Sequence, residues 1–219
     1  MEVGDFLIQR LPVTFADYAL FLAALDRLSG PAEAAKRVPS FAEGLMERAP
    51  DGSYRVLPVF GRQGSAGAGF ETSLPAVGVS CEDAAAYCAW KSGETGQRWR
   101  LPTEEEREKA GRGVDGRMYP WGSLEDASLA KCRDSREEAA QPEPVGSFPT
   151  ATSVYGMADA AGGAWEWTAT LFDPRRKEQV LRGGAWSSVL GNLRCAFRFS
   201  LAPTMRTPTT GFRCARDLG

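Results

Sequence analysis

The chain has 219 residues, 43% of them hydrophobic and 25% charged, a balance expected of a soluble globular protein with one large or two small domains. A formal net charge of −2, with acids interleaved among the arginines, leaves no basic face for nucleic acid and no field that draws the chain to an anionic membrane. Histidine is absent, which excludes Ser-His-Asp and Cys-His catalysis and any His-ligated zinc or iron.

In chain order, Phe6-Leu-Ile8 reads as a short strand. Thr14 with Asp17 forms a capping box for a first helix, whose apolar stripe is Phe15, Tyr18, Phe21, Leu22 and Leu25. Residues 29–72 read as a loop insertion lying over a surface, with Gly64-Ser-Ala-Gly-Ala-Gly69 as flexible linker chemistry. Leu74-Pro-Ala-Val-Gly-Val79 reads as a strand. Ser80 with Asp83 caps a second helix that carries Ala84, Tyr87, Cys88 and Trp90 on or near its buried face. Thr103 with Glu106 opens a short helix through Lys109, acidic first and basic last, as the helix dipole prefers. The chain is then irregular to about Phe148, with Tyr119-Pro-Trp-Gly122 as a rigid turn. Strand-like pieces resume near Ala164–Thr168, Val180–Trp186 and Phe212–Ala215. The pattern is α+β: two helices early, short antiparallel strands late, and much ordered coil.

No run is long and apolar enough to span a bilayer, and Met1-Glu-Val-Gly-Asp5 lacks the features of a signal peptide, so a cytoplasmic location is the default expectation. Five cysteines, an odd number, argue against a complete disulfide framework. Asparagine occurs once and Arg outnumbers Lys, which points toward a thermophilic source.

Four separated motifs then stand in order: Pro75-Ala-Val-Gly-Val-Ser80 with Ala84-Ala-Ala-Tyr-Cys88; Arg100-Leu-Pro-Thr-Glu104; Tyr155-Gly-Met-Ala-Asp-Ala-Ala-Gly-Gly-Ala-Trp-Glu-Trp167; and a tail from Leu181-Arg-Gly-Gly-Ala-Trp186 through Arg194-Cys-Ala-Phe-Arg198 to Gly211-Phe-Arg-Cys-Ala215. Together they resemble the formylglycine-generating enzyme, or sulfatase-modifying factor, type of domain. The resemblance implies a variant of the C-type lectin fold, with one such domain over residues 1–219.

In that family the founding activity oxidises a substrate cysteine at two thiols that hold Cu(I), placed between the Arg-Gly-Gly and Arg-Cys-Ala segments. Here that interval, Ala185-Trp-Ser-Ser-Val-Leu-Gly-Asn-Leu193, is short and has no cysteine, and Ser187 and Ser188 offer only hard hydroxyl oxygens. A second branch uses His-ligated iron, which a chain without histidine cannot supply. Neither copper nor iron is therefore expected. The tail is similar to a third branch, the variable proteins of diversity-generating retroelements, whose fixed Gly, Trp and Arg frame brackets positions that mutate to make a ligand-binding face.

That likeness assigns a variable face to Ser187, Ser188, Val189, Asn192, Phe197, Phe199, Leu201, Thr204, Thr207 and Thr209, each reachable from an Asn codon by changing its adenines. Its expected ligand is a macromolecule, foremost a protein. The competing reading makes Val189, Phe197, Phe199 and Leu201 core. Between Arg198 and Arg206, however, the pattern has neither strand nor helix period, and Phe and Leu among Ser and Thr make an amphiphilic patch.

The resemblance further implies a calcium site at Asp159, Gly162, Ala164 and Glu166, with Gly and Ala donating carbonyl oxygens; the alternative pairs Glu166 with an arginine. It also implies a disulfide between Cys88 and Cys214, the alternative being two small buried side chains in contact. Arg182, Arg198 and Arg213 read as forks that tie coil carbonyls and acids together, and Trp165, Trp167 and Trp186 read as core. The alternative function is a sulfatase-modifying-factor-like oxidoreductase acting on cysteine or sulfur through Cys195, Glu166 and Tyr155.

Overall fold

A computed structural model describes residues 3–58, 69–137, 140–175 and 177–218. All three capping boxes form. Thr14 starts α1 (Phe15–Ser29), Ser80 starts α3 (Cys81–Thr95) and Thr103 starts α4 (Glu104–Arg112), each with the cap side chain and the acid at the third helical position bonded reciprocally. Each box satisfies two amide groups that a helix start leaves open, which contributes about 1 kcal/mol per helix. A six-residue helix, α2 (Pro31–Lys36), follows α1, with Pro31 at its first turn where no amide is needed. There are thus four α-helices among the described residues: the three opened by capping boxes stand where expected, and the short α2 is added to them.

Strands β1 (Phe6–Ile8), β9 (Ala215–Asp217) and β4 (Trp99–Arg100) make an antiparallel sheet with β9 in the middle, in the register Ile8↔Ala215 and Trp99↔Arg216. A second sheet has the order β7 (Phe199–Leu201), β6 (Glu178–Arg182), β5 (Trp165–Asp173) and β8 (Thr210–Gly211). Its β5–β6 and β6–β7 pairs are antiparallel, and β8 lies parallel to β5. The tail therefore supplies both edges of the second sheet, β7 and β8, and the middle strand of the first, β9.

The stretch expected to be a surface insertion instead enters the core. Besides α2 it forms the hairpin β2 (Met46–Arg48) and β3 (Tyr54–Val56), and Ala34, Leu45, Met46 and Tyr54 are buried in the main core, with α2 and β3 beside α1. Most of the glycine-rich linker lies outside the described residues, and Gly69 enters a turn before Glu71–Ser73. The expected strand at residues 74–79 joins no sheet and bends at Gly78, where φ is +76°. Its amides instead go to coil, Ala76 N–H to Val13 O and Gly78 N–H to Thr207 O, because Pro75 has no amide to continue a ladder. The expected strand at Phe212–Ala215 is likewise divided, with Phe212, Arg213 and Cys214 forming a buried link between β8 and β9.

Aromatic side chains join the helices to this link. The rings of Tyr18 and Tyr87 stack at 5.9 Å, and Phe212 meets Tyr87 edge-on at 5.2 Å. A separate cluster of Tyr119, Ala130, Cys132, Phe148, Ala151, Ala161 and Leu193 gives the irregular middle of the chain a core of its own. The Tyr119–Gly122 turn closes with a pair of reciprocal backbone hydrogen bonds.

Candidate ligand-binding face

Buried arginines set the shape of the tail. Arg213 is fully buried and donates from Nε and Nη2 to both oxygens of Glu166, at 2.8 and 2.7 Å. Its remaining contacts go to the carbonyls of Gln9, Arg10, Ala158 and Asp159. Arg107 Nε donates to the same carboxylate at 2.6 Å from the opposite helix. Burial alone would raise the Glu166 carboxyl pKa, but the two guanidinium charges and their hydrogen bonds outweigh it and hold the group down at about 2.

Arg182 clamps the next segment. Its Nη1 donates to the carbonyls of Cys195 and Phe197, both at 3.1 Å, and its Nη2 pairs with Glu104 and with Glu108 at 2.8 Å. Arg198 Nη2 reaches the second oxygen of Glu104 at 2.7 Å and lies over the Phe172 ring. Glu104 stands in the first turn of α4; its arginine partners lie 78 and 94 residues away, and no local signal marks them. Gly184 has φ +79°, and a Cβ there would sit 2.6 Å from Leu193, so the Arg-Gly-Gly turn needs glycine. Trp165 and Trp167 are buried, whereas Trp186 is half-buried and tied through Nε1 to Pro208 O.

The ten residues of the expected variable face do not behave alike. Ser187, Val189, Phe199 and Thr204 are exposed, Val189 and Phe199 to 38% and 40%. Asn192, Phe197, Leu201, Thr207 and Thr209 are half-buried. Phe197 and Leu201 pack against the main core, and the Phe197 and Phe199 rings both flank Trp165, at 5.9 and 5.3 Å. Thr207 Oγ1 is engaged with the Thr209 and Thr210 hydroxyls. Ser188 is the correction: it is buried, its Oγ accepts from Ala185 N–H at 3.0 Å, and its carbonyl accepts from Arg133 N–H. It closes a turn and presents nothing outward.

The other expected sites resolve differently. Cys88 and Cys214 are brought together deep in the core, with their sulfurs 3.4 Å apart, as two free thiols and not as a disulfide. Burial pushes the Cys214 thiol well up. The residues proposed for calcium do not fit that ion. Both Glu166 oxygens are taken by guanidinium groups that already neutralise it. The Asp159 carboxylate accepts from Gly146 N–H, and the Gly162 carbonyl from Ala164 N–H. Among the described residues no three acidic or thiol side chains converge as metal ligands. Cys195 is half-buried, with its amide on Met118 O; burial pushes its thiol up to about 11, which leaves little thiolate at neutral pH. Tyr155 is exposed. No helix of the described residues is long and apolar enough to cross a membrane.

Against known families, residues 1–218 match the Sulfatase-modifying factor enzyme 1-like domain. The chain belongs to this sulfatase-modifying factor family. It is 37% identical over 161 residues to a mouse (Mus musculus) protein named Inactive C-alpha-formylglycine-generating enzyme 2, a match covering 67% of this chain and 50% of that one. The chain thus spans about half the length of that relative. Two solved structures share the fold of the family domain. PvdO from Pseudomonas aeruginosa superposes with a TM-score of 0.73 at 24% identity, over 97% of this chain and 80% of that one. Treponema denticola variable protein 1 superposes with a TM-score of 0.67 at 18% identity, over 97% and 84%. This sulfatase-modifying factor domain therefore has the α+β, C-type lectin-like architecture expected from its motifs.

Proposed function

We propose that this chain is a non-catalytic ligand-binding domain that presents its 187–209 segment to a macromolecular ligand, as a variable protein of a diversity-generating retroelement does. One observation carries the reading: the tail backbone is held by Arg182, Arg198, Arg213 and Trp186, while Ser187, Val189, Phe199 and Thr204 are exposed. Side chains that do not support the backbone can be exchanged without unfolding it, and a face fixed before binding loses little entropy on contact. The word "inactive" in the mouse relative's name and the variable protein among fold neighbours are compatible with this reading.

The enzymatic alternative draws on the family itself, and Cys195 is the thiol it would need. Its raised pKa and the absence of a second cysteine in the 185–193 interval weigh against it. The test is direct. Protein incubated with Cu(I), oxygen and a cysteine-containing peptide is expected to retain no stoichiometric copper after desalting and to form no aldehyde. Retained copper with aldehyde formation overturns the binding-domain reading. Diversification has its own check in the source genome: a reverse transcriptase near the gene and a near-copy of its 3′ coding repeat. A genome with neither removes that part of the proposal.

A further inference from the structure

Beside the exposed tail lies an open groove of about 440 Å³ lined by Arg112, Arg117, Arg194, Arg198, Met118 and Phe197. Its walls are fixed to one another. Cys195 N–H donates to Met118 O, and Arg112 Nε donates to Arg117 O. The Arg182 fork holds the carbonyls of Cys195 and Phe197 from behind.

Three of the four lining arginines carry a carboxylate of their own. Arg112 pairs with Glu108 at 2.8 Å, Arg117 with Asp115 at 2.6 Å and Arg198 with Glu104 at 2.7 Å. Arg194 does not. It is exposed, its Nε donates to Gly191 O at 2.9 Å, and its two terminal nitrogens meet no acid among the described residues. One backbone bond orients the guanidinium plane and leaves its fork open, the arrangement that recognises a carboxylate with two parallel hydrogen bonds. Met118 and Phe197 add apolar wall beside that charge.

Resting on the binding-domain reading, we propose that this groove takes an acidic side chain of a protein ligand together with an apolar neighbour, the carboxylate on Arg194 and the apolar group against Met118 and Phe197. The surrounding field agrees: five arginines, the four of the groove and Arg182, face three acids, Glu104, Glu108 and Asp115. The excess of two positive charges is local, because the whole chain is at −2. A nucleic acid would need a wider basic surface than one open guanidinium provides.

The probe is the blocked tetrapeptide acetyl-Leu-Glu-Phe-Glu-amide, titrated into ¹⁵N-labelled full-length protein while the arginine Nε–Hε resonances are followed. The Arg194 resonance is expected to shift saturably. The Gln-for-Glu peptide and the Arg194→Gln protein are each expected to bind about tenfold more weakly, the loss of one charge-assisted contact. Circular dichroism of Arg194→Gln should match the parent, since only one exposed bond is removed. The proposal is overturned by the absence of a saturable shift, by equal affinity for the Gln peptide, by inorganic sulfate binding as tightly as the peptide, or by tighter binding of an oligothymidylate. Any of these with the copper test still negative removes the groove assignment alone; copper-dependent turnover removes the reading beneath it.

Discussion

Two regions carry arginine and aromatic side chains in this tail, and they use them in opposite ways. Around Glu166 the guanidinium groups of Arg107 and Arg213 are buried and bond to the Glu166 carboxylate and to backbone carbonyls. Around Phe199 and Arg194 the same residue types sit at the surface and meet few partners. The first region keeps the backbone in place, and the second leaves its side chains open to solvent. Composition does not separate them; the partners do, because a buried ion must be paired and a surface one need not be.

The largest effect that would sharpen this contrast comes from Glu166→Gln. The variant leaves two buried guanidinium groups facing a neutral amide, and we expect a loss of about 3–5 kcal/mol in unfolding free energy from urea titration. A change under 1 kcal/mol would mean that the triad does not hold the tail. Acid probes the same group without mutation. Its folded pKa of about 2 lies below the ordinary 4.5, so the unfolded chain binds the proton more readily between those values. The stabilisation should be complete above about pH 5 and be lost as pH falls from there toward 2. Urea midpoints measured at pH 6 and pH 3 should differ accordingly in the parent, and much less in Glu166→Gln.

A smaller effect splits two neighbours. Phe197→Ala should cost about 2 kcal/mol because its ring is half-buried on the core, and Phe199→Ala about 1 kcal/mol or less because its ring is 40% exposed. Equal losses would put both rings in the framework. The smallest effect belongs to Val189→Ser and Thr204→Ala, each expected within about 0.5 kcal/mol by thermal or urea unfolding. A larger cost at either position would place it in the framework and shrink the variable face.

The sequence alone was enough for features whose causes are local. Thr14, Ser80 and Thr103 each find their partner three residues on, so the capping boxes are readable as written and all three form. The frame of Arg-Gly-Gly, Arg-Cys-Ala and Gly-Phe-Arg led to the family and its fold for the same reason. What needed the tertiary structure was everything decided by partners far along the chain. Glu166 meets Arg213 across 47 residues and Glu104 meets Arg198 across 94, so an arginine partner for Glu166 stood only as the alternative to calcium, and none was legible for Glu104. Ser188 turned inward because the Ala185–Ser188 turn claimed its hydroxyl, and residues 31–56 joined the core because α1 offered them an apolar face. Hydrogen-bond caps act within one helical turn, whereas burial and charge pairing are settled only when distant segments meet.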